Sequence, residues 1–222
     1  MSGRMSMRAQ YNEKGVDSYY TENSNSYRNP HYPDMIKVVS ELLELMVPLL
    51  HRYPAIASIQ QTNDPCFISS KTLESTKALR ILDLAAGSGE VSLLVNSWFL
   101  GPKNNLFDKL FIFASDCFTK SAFEERTGGW PCMTHSFLDV SNGILNDPVD
   151  ICICSFALHL ADESILYSLT YEIARKCRFF VIISPHKRPH IKESGNLILL
   201  KSFILNRIHV RIFESTIFEL EE

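Results

Sequence analysis

From Pro33 onward the chain alternates apolar runs with polar punctuation, and the spacing of those runs changes along its length. In PDMIKVVSELLELMVPLLHRY (33–53), Ile36, Val39, Leu42, Leu43, Met46 and Leu50 recur at three- and four-residue intervals, which predicts an amphipathic helix. Asp34 is placed to cap its start, and Pro48 to kink or shorten its end. Further on, the runs become short and continuous: ALRILDLA (78–85), KLFIFASD (109–116), PCMTHSFLD (131–139), VDICICSF (149–156) and RFFVIISP (178–185). Helix-length segments separate them at 90–100, 117–126 and 162–177. Short apolar strands alternating with helices predict an α/β fold, a Rossmann-like doubly wound and mostly parallel sheet covered on both faces.

The end of the chain reads as a helix-length segment, SGNLILLKSFILNRI (194–208), followed by two β-like runs at 207–213 and 216–220. These predict a C-terminal antiparallel hairpin, bringing the sheet to seven strands. Residues 1–33 are polar and rich in Tyr, Asn and Ser, which predicts an arm. The expected division is an N-terminal helical arm and helix at 1–53 serving as lid or cap, a linker loop at 54–77, and a core at 78–222.

Composition narrows the functional classes. The 222 residues are 45% hydrophobic and 21% charged, enough for one well-filled domain, and a net charge of −3 leaves no global basic field for nucleic acid. The six cysteines, Cys66, Cys117, Cys132, Cys152, Cys154 and Cys177, form no CxxC pair and read as reduced core residues. That points to an intracellular chain, cytoplasmic or nuclear. The N-terminus has Arg4 and Arg8 but no apolar core of a secretory leader, Glu13 and Asp17 argue against a mitochondrial presequence, and no apolar run approaches the ~18 residues of a membrane span.

The chemistry concentrates in ILDLAAGSGEVSLLV (81–95). A strand carrying Asp83 runs into Ala85, Ala86, Gly87, Ser88 and Gly89, and a helix begins near Glu90. Small residues at a strand end let a ligand lie against main-chain N–H groups, so the stretch predicts a cofactor bed. Glu90 in the first helical turn opposes a pyrophosphate, Ser92 stands where a dinucleotide fingerprint has its third glycine, and no P-loop pattern occurs.

On ILDLAAGSG the chain resembles the class I S-adenosylmethionine-dependent methyltransferases, departing from their first motif at Ala85, where glycine is usual. The resemblance implies S-adenosyl-L-methionine as cofactor. It also implies that Asp116 of FASD, at the end of the second core strand, binds the ribose hydroxyls, and that Asp139 of FLDV, flanked by Phe137 and Leu138, accepts from the adenine amino group. A longer gap between Gly87 and Asp116 is assigned to an insertion, GPKNNLFDK. DICICSFALHL matches the fourth strand and the loop over the transferable methyl. The implied cofactor residues are therefore Asp83, Ala85, Gly87, Ser88, Gly89, Asp116, Cys117, Leu138, Asp139 and Ser155, and no metal is assigned. SFALHL, SPHKRPHI and YRNPH resemble an uncharacterised group of fungal methyltransferase-like proteins.

The acceptor side is less defined. His159 and His186 follow the fourth and fifth core strands and are the candidates for a base or acceptor-binding group, although an imidazole packed under a helix is an equal reading of His159. His190 follows His186 by four positions, a spacing open to a metal, but scattered polar histidines in wet loops are the preferred reading. Tyr19, Tyr20, Tyr27 and Arg28 of the arm are placed to close over the cofactor mouth as a lid, against the reading of a mobile tail. Lys187, Arg188 and Lys192, joined by Arg207 and Arg211, are either a local patch for nucleic acid or a small anion, or a solvated face. The acceptor, whether small molecule, RNA or protein, stays open. A catalytically inactive methyltransferase-fold protein or partner subunit is the second reading, and a nicotinamide-dependent reductase the third.

Overall fold

Residues 28–53, 64–71, 77–191 and 195–218 are described in the computed structural model of the protein. The first element is α1 (Tyr32–Leu50). Its buried stripe is Met35, Val38, Val39, Leu42, Leu43, Met46 and Leu50, a helical face against the sheet, and each side chain contributes about 1.5–3 kcal/mol by leaving water. Ile36, expected inside, points outward. The helix begins one turn earlier than Asp34 suggests. His31 occupies the cap position and Pro33 the first turn, where its missing N–H is harmless, leaving Asp34 to accept from Asn206 Nδ2 at 3.2 Å. Pro48 lies inside the helix, which ends two residues later.

The strands are β1 (Phe67–Ser70), β2 (Ala78–Leu84), β3 (Lys109–Ser115), β4 (Val149–Ser155), β5 (Cys177–Ser184), β6 (Leu197–Leu205) and β7 (Ile208–Ser215). They form one seven-stranded sheet in the order β1-β3-β2-β4-β5-β7-β6. The pairs among β3, β2, β4 and β5 are parallel, whereas β1 and β7 run antiparallel to their neighbours. The helices α2 (Glu90–Leu100), α3 (Lys120–Thr127), α4 (Phe137–Ser141) and α5 (Leu166–Lys176) complete the crossovers, with a short helical turn at Leu158–Leu160. α1 and α2 cover one face through Val95 and Phe99, and α4 and α5 cover the other through Val140, Leu169 and Ile173. The predicted α/β class holds, and β5 is buried at every position, as an interior strand of a sheet covered on both faces must be.

Three element assignments change. Residues 131–139 do not form a strand: only Met133 bridges to Ser115, after which Ser136 and Asp139 make a reciprocal capping box that starts α4. β1, within the expected linker, occupies the rest of that edge by pairing with 109–112. The helix expected at 194–208 is instead β6, because Asn206 and Arg207 take positive φ (50° and 64°) and turn the chain straight back into β7. The hairpin is thus 197–205 with 208–215, rather than 207–213 with 216–220. No helix among the described residues is long and apolar enough to cross a membrane.

Candidate cofactor and acceptor site

The chain leaves β2 toward β3 on one side and later returns to β4 on the other. This order reversal opens a crevice beyond the strand ends, where α/β sheets bind ligands. The backbone after β2 is left-handed at Ala85 (φ 57°), Gly87 (φ 59°) and Gly89 (φ 83°), a path that small residues tolerate. At Gly89 a side chain is excluded by space as well, since a Cβ would stand 2.9 Å from Thr127 Cγ2.

Two carboxylates fasten this turn. Asp83, fully buried, accepts through Oδ2 from the Ser92 N–H at 3.0 Å and the Ser92 hydroxyl at 2.6 Å, while its Oδ1 has no partner among the described residues. Burial pushes its pKa up to about 7, against the pull of the Ser92 bonds. Asp116, just past β3, accepts the Gly87 N–H on Oδ2 at 2.9 Å and the N–H groups of Phe118 and Thr119 on Oδ1 at 2.9 and 2.8 Å. Thr119 Oγ1 in turn donates to Gly87 O at 2.7 Å.

Glu90 holds a third junction. Its Oε1 accepts from the Asn29 N–H at 2.9 Å, Ser88 Oγ at 2.8 Å and Arg126 Nη1 at 2.7 Å, and Arg126 lies over the Tyr32 ring at 4.8 Å. The residues leading into α1, the glycine turn and α3 therefore meet at one carboxylate.

Together these elements line a cleft of about 380 Å³. Its floor is Leu84–Gly87. Asp116, Cys117 and Phe118 form one wall, His135–Leu138 another, and Ser155–Ala157 with Leu160–Asp162 the far side. Of the sequence-predicted cofactor residues, Ala85, Gly87, Asp116, Cys117, Leu138 and Ser155 line the cleft. Asp83, Ser88 and Gly89 stand behind the lining and shape it.

Asp139 is a correction. Its Oδ2 accepts from Ser136 N and Oγ at 2.8 and 2.7 Å, so its carboxylate caps α4 at the exposed surface and does not line the cleft. The S-x-x-D pattern of 136–139 carried that signal. The bidentate role read for Asp116 is also modified, because both of its oxygens already hold the backbone. Cys117, read as a core cysteine, is exposed, and none of the six cysteines forms a disulfide.

Arg28 is exposed and not part of the lining; the neighbouring Asn29 is, and Tyr27, Tyr19, Tyr20 and Lys192 lie outside the described residues. The arm also sends His31 onto Phe156, rings stacked 4.9 Å apart, where Phe156 takes φ 55° directly after β4. Sequence reasoning passed over Asn29, and read Glu90 only as opposing a pyrophosphate, because the bond that joins them spans 61 residues.

The two candidate histidines come together. The rings of His159 and His186 meet edge to face at 5.0 Å, and burial, followed by the charge of His186, holds the His159 pKa below its ordinary value. His159 sits between the lining residues Ala157 and Leu160 without itself lining the cleft, and His186 is exposed. Among the described residues no three His, Cys, Asp or Glu side chains cluster as a metal site.

No family model matches the chain. An uncharacterized protein of Schizosaccharomyces pombe, C17A5.05c, is 31% identical over 250 residues, covering 95% of this chain and 92% of its own. The chain belongs to the family of this fission yeast protein. The fungal resemblance of SFALHL and SPHKRPHI agrees with that membership. Magnesium protoporphyrin IX methyltransferase from Synechocystis PCC 6803, solved with bound SAM, superimposes with a TM-score of 0.50 at 13% identity, over 97% of this chain and 99% of that one. An O-methyltransferase family protein from Burkholderia thailandensis gives 0.53 at 13% identity, over 96% of this chain and 63% of that one. The family thus has, in this member, the fold of the class I methyltransferases.

Proposed function

We propose that the chain is an S-adenosylmethionine-dependent methyltransferase. The observation that carries this reading is the cleft itself: a side-chain-poor backbone at Ala85–Gly87 tied to a carboxylate, Asp116, at the end of the neighbouring strand. The residues fit the cofactor. Ala85 and Gly87 leave room against the main chain, Asp116 has a lone-pair position beyond its three backbone bonds for a ribose hydroxyl, and Phe137 and Leu138 offer apolar surface to an adenine ring. Glu90 at the start of α2 suits a cationic ligand better than a pyrophosphate.

When bound, S-adenosylmethionine supplies a methyl group on a sulfonium, open to in-line attack by an acceptor lone pair with departure of the neutral thioether. The chain's own part is to orient the two partners and to take any proton the acceptor releases. Ser155 and Phe156 border the end of the cleft where the acceptor enters, and His31 buttresses Phe156. His159 is the candidate base. Its depressed pKa keeps the imidazole neutral at physiological pH, the form that accepts a proton, and His186 is placed to orient it.

Calorimetric titration of the purified chain with S-adenosylmethionine and S-adenosylhomocysteine, with NADH as control, tests the cofactor. Micromolar binding of the sulfonium pair and none of NADH supports the reading, and a folded chain that binds neither sinks it. With a labelled methyl group and an acceptor library, His159→Gln should lower transfer while leaving S-adenosylhomocysteine affinity unchanged.

A further inference from the structure

Three arginines of the sheet are buried, Arg80, Arg178 and Arg211. Two of them share a counter-charge. Arg178 Nη1 lies 3.6 Å from Asp150 Oδ1, and Arg80 sits close enough to Asp150 and Asp147 that their negative charge supports its cation. Arg211, on β7, has no such neighbour among the described residues. Burial alone acts on it.

Its hydrogen bonds are incomplete in a telling way. Nη1 donates to Pro189 O at 2.6 Å, which fixes the plane of the guanidinium, while Nε and Nη2 are buried without a partner among the described residues. Those two N–H groups share one edge and point the same way. It is the edge that grips a carboxylate or phosphate with two parallel bonds. A buried cation with two unmade bonds and no counter-charge is unfavourable, and an absent anion accounts for both deficits at once.

The surroundings have the same sign. His209 precedes Arg211 by two residues and so shares its face of β7, with Arg211 opposite Ile182 and His209 opposite Ser184 of β5. After burial, the charges of Lys187, Arg211 and His186 push the His209 pKa down. The strap SPHKRPHI (184–191) has no acid, and four of its eight residues are Lys, Arg or His. Ser184 Oγ donates to His186 O and anchors the strap at its start, as Arg211 does at Pro189. The strap is linked to the cleft through one contact: His186 packs on His159, within the segment whose Ala157, Leu160 and Ala161 line it.

We propose that Arg211, with His209 on the same face of β7 and the basic strap 184–191 held to it through Pro189 O, is an oxyanion-binding site that holds the carboxylate or phosphate group of the methyl acceptor. The word acceptor rests on the methyltransferase reading; the anion site does not. Because Arg211 Nε and Nη2 lie beneath the surface, the exposed strap yields to admit the ion. A bound anion also offsets the positive charge that, after burial, holds the His209 pKa down.

The test is titration of the full chain with inorganic phosphate and, separately, acetate, following the histidine ring resonances by NMR. S-adenosylhomocysteine is titrated into the same samples, so that failure of the anion site and failure of the cofactor cleft are read independently. Expected is a saturable movement of the His186 and His209 signals; a response to phosphate alone assigns a phosphorylated acceptor, and one to acetate alone a carboxylate. Lys187→Gln, at an exposed position, should weaken the response about fivefold, and Arg211→Gln should abolish it. No saturable response to either anion in the folded wild type overturns the proposal, as does undiminished binding by a folded Arg211→Gln chain. Glu193, the acid nearest the strap in sequence, lies outside the described residues. If it were the internal counter-ion, only Glu193→Gln would respond, which also overturns the proposal.

Discussion

Gly87 donates its N–H to the carboxylate of Asp116, 29 residues away, so the turn after β2 and the end of β3 are one hydrogen-bonded unit. Thr119 closes the same unit from the other side by donating to Gly87 O. A cofactor lying on the turn therefore meets a backbone already held in place, which reduces the ordering needed on binding.

Asp116→Asn puts an amide NH2, which cannot accept, where one carboxylate oxygen accepts backbone N–H. Affinity for S-adenosylhomocysteine should fall about 10- to 100-fold, from the loss of a charge-assisted acceptor worth about 1.5–3 kcal/mol. Calorimetry on a variant with unchanged far-ultraviolet circular dichroism checks this. Wild-type affinity in the variant would remove Asp116 from the cofactor site.

Glu90 and Arg126 form a nearly buried pair that also holds Asn29. Glu90→Gln leaves the Arg126 guanidinium without a counter-charge and should destabilise the chain by about 2–3 kcal/mol, below the range of a fully buried pair because Arg126 is partly solvated. Urea denaturation gives the loss. Faster hydrogen exchange at the Asn29 amide should accompany it, since that N–H loses a charged acceptor. Protection equal to wild type would show that the arm is held by other contacts.

The left-handed turn makes opposite demands at two positions. Gly89→Ala forces a Cβ into Thr127 and Phe123 at φ 83° and should cost about 2–3 kcal/mol. Ala85→Gly relieves a methyl at φ 57° and should stabilise by about 0.5–1 kcal/mol, the relief being partly offset by the greater freedom of glycine in the unfolded chain. Denaturation midpoints of the two variants should move in opposite directions.

Asp83 has its folded pKa raised to about 7, above the ordinary 3.8, so the native state holds a proton that the unfolded chain has released between those values. Stability from this group is full below about pH 4 and is lost as the pH rises to 7. Asp150, raised to about 6 mainly by burial, adds in the same direction over a narrower window. Asp83→Asn, which can still accept from Ser92, should gain on the wild type between pH 4 and 7.5. A difference in unfolding free energy that does not change across that range would mean Asp83 ionises normally in the fold.

The corrected residues share a physical feature. Asp139 has the spacing of a helix cap in its own four-residue window, and that local bond captured a carboxylate expected in the cleft. LILLKSFIL has the length of a helix and, at Leu197, Leu200 and Ile204, its three-to-four spacing, so the segment alone does not choose between helix and strand. The Asn206–Arg207 turn, weaker as a signal than Asn-Gly, decides for strand by delivering β7 as a partner. β1 escaped notice because four residues of alternating burial acquire a strand's identity only beside β3.

What the order of residues determined by itself was the alternation of apolar runs, the small-residue turn after β2, and an acid at the end of β3. These are local properties: burial periodicity, backbone permissiveness and strand-end position do not depend on distant partners. Tertiary structure alone decided what each polar group does. Asp116 binds the turn, Glu90 gathers the arm, His159 meets His186, and Arg211 is buried without an acid among the described residues. Those outcomes depend on which distant groups the sheet order brings within about 3–5 Å, where hydrogen bonds and charges act.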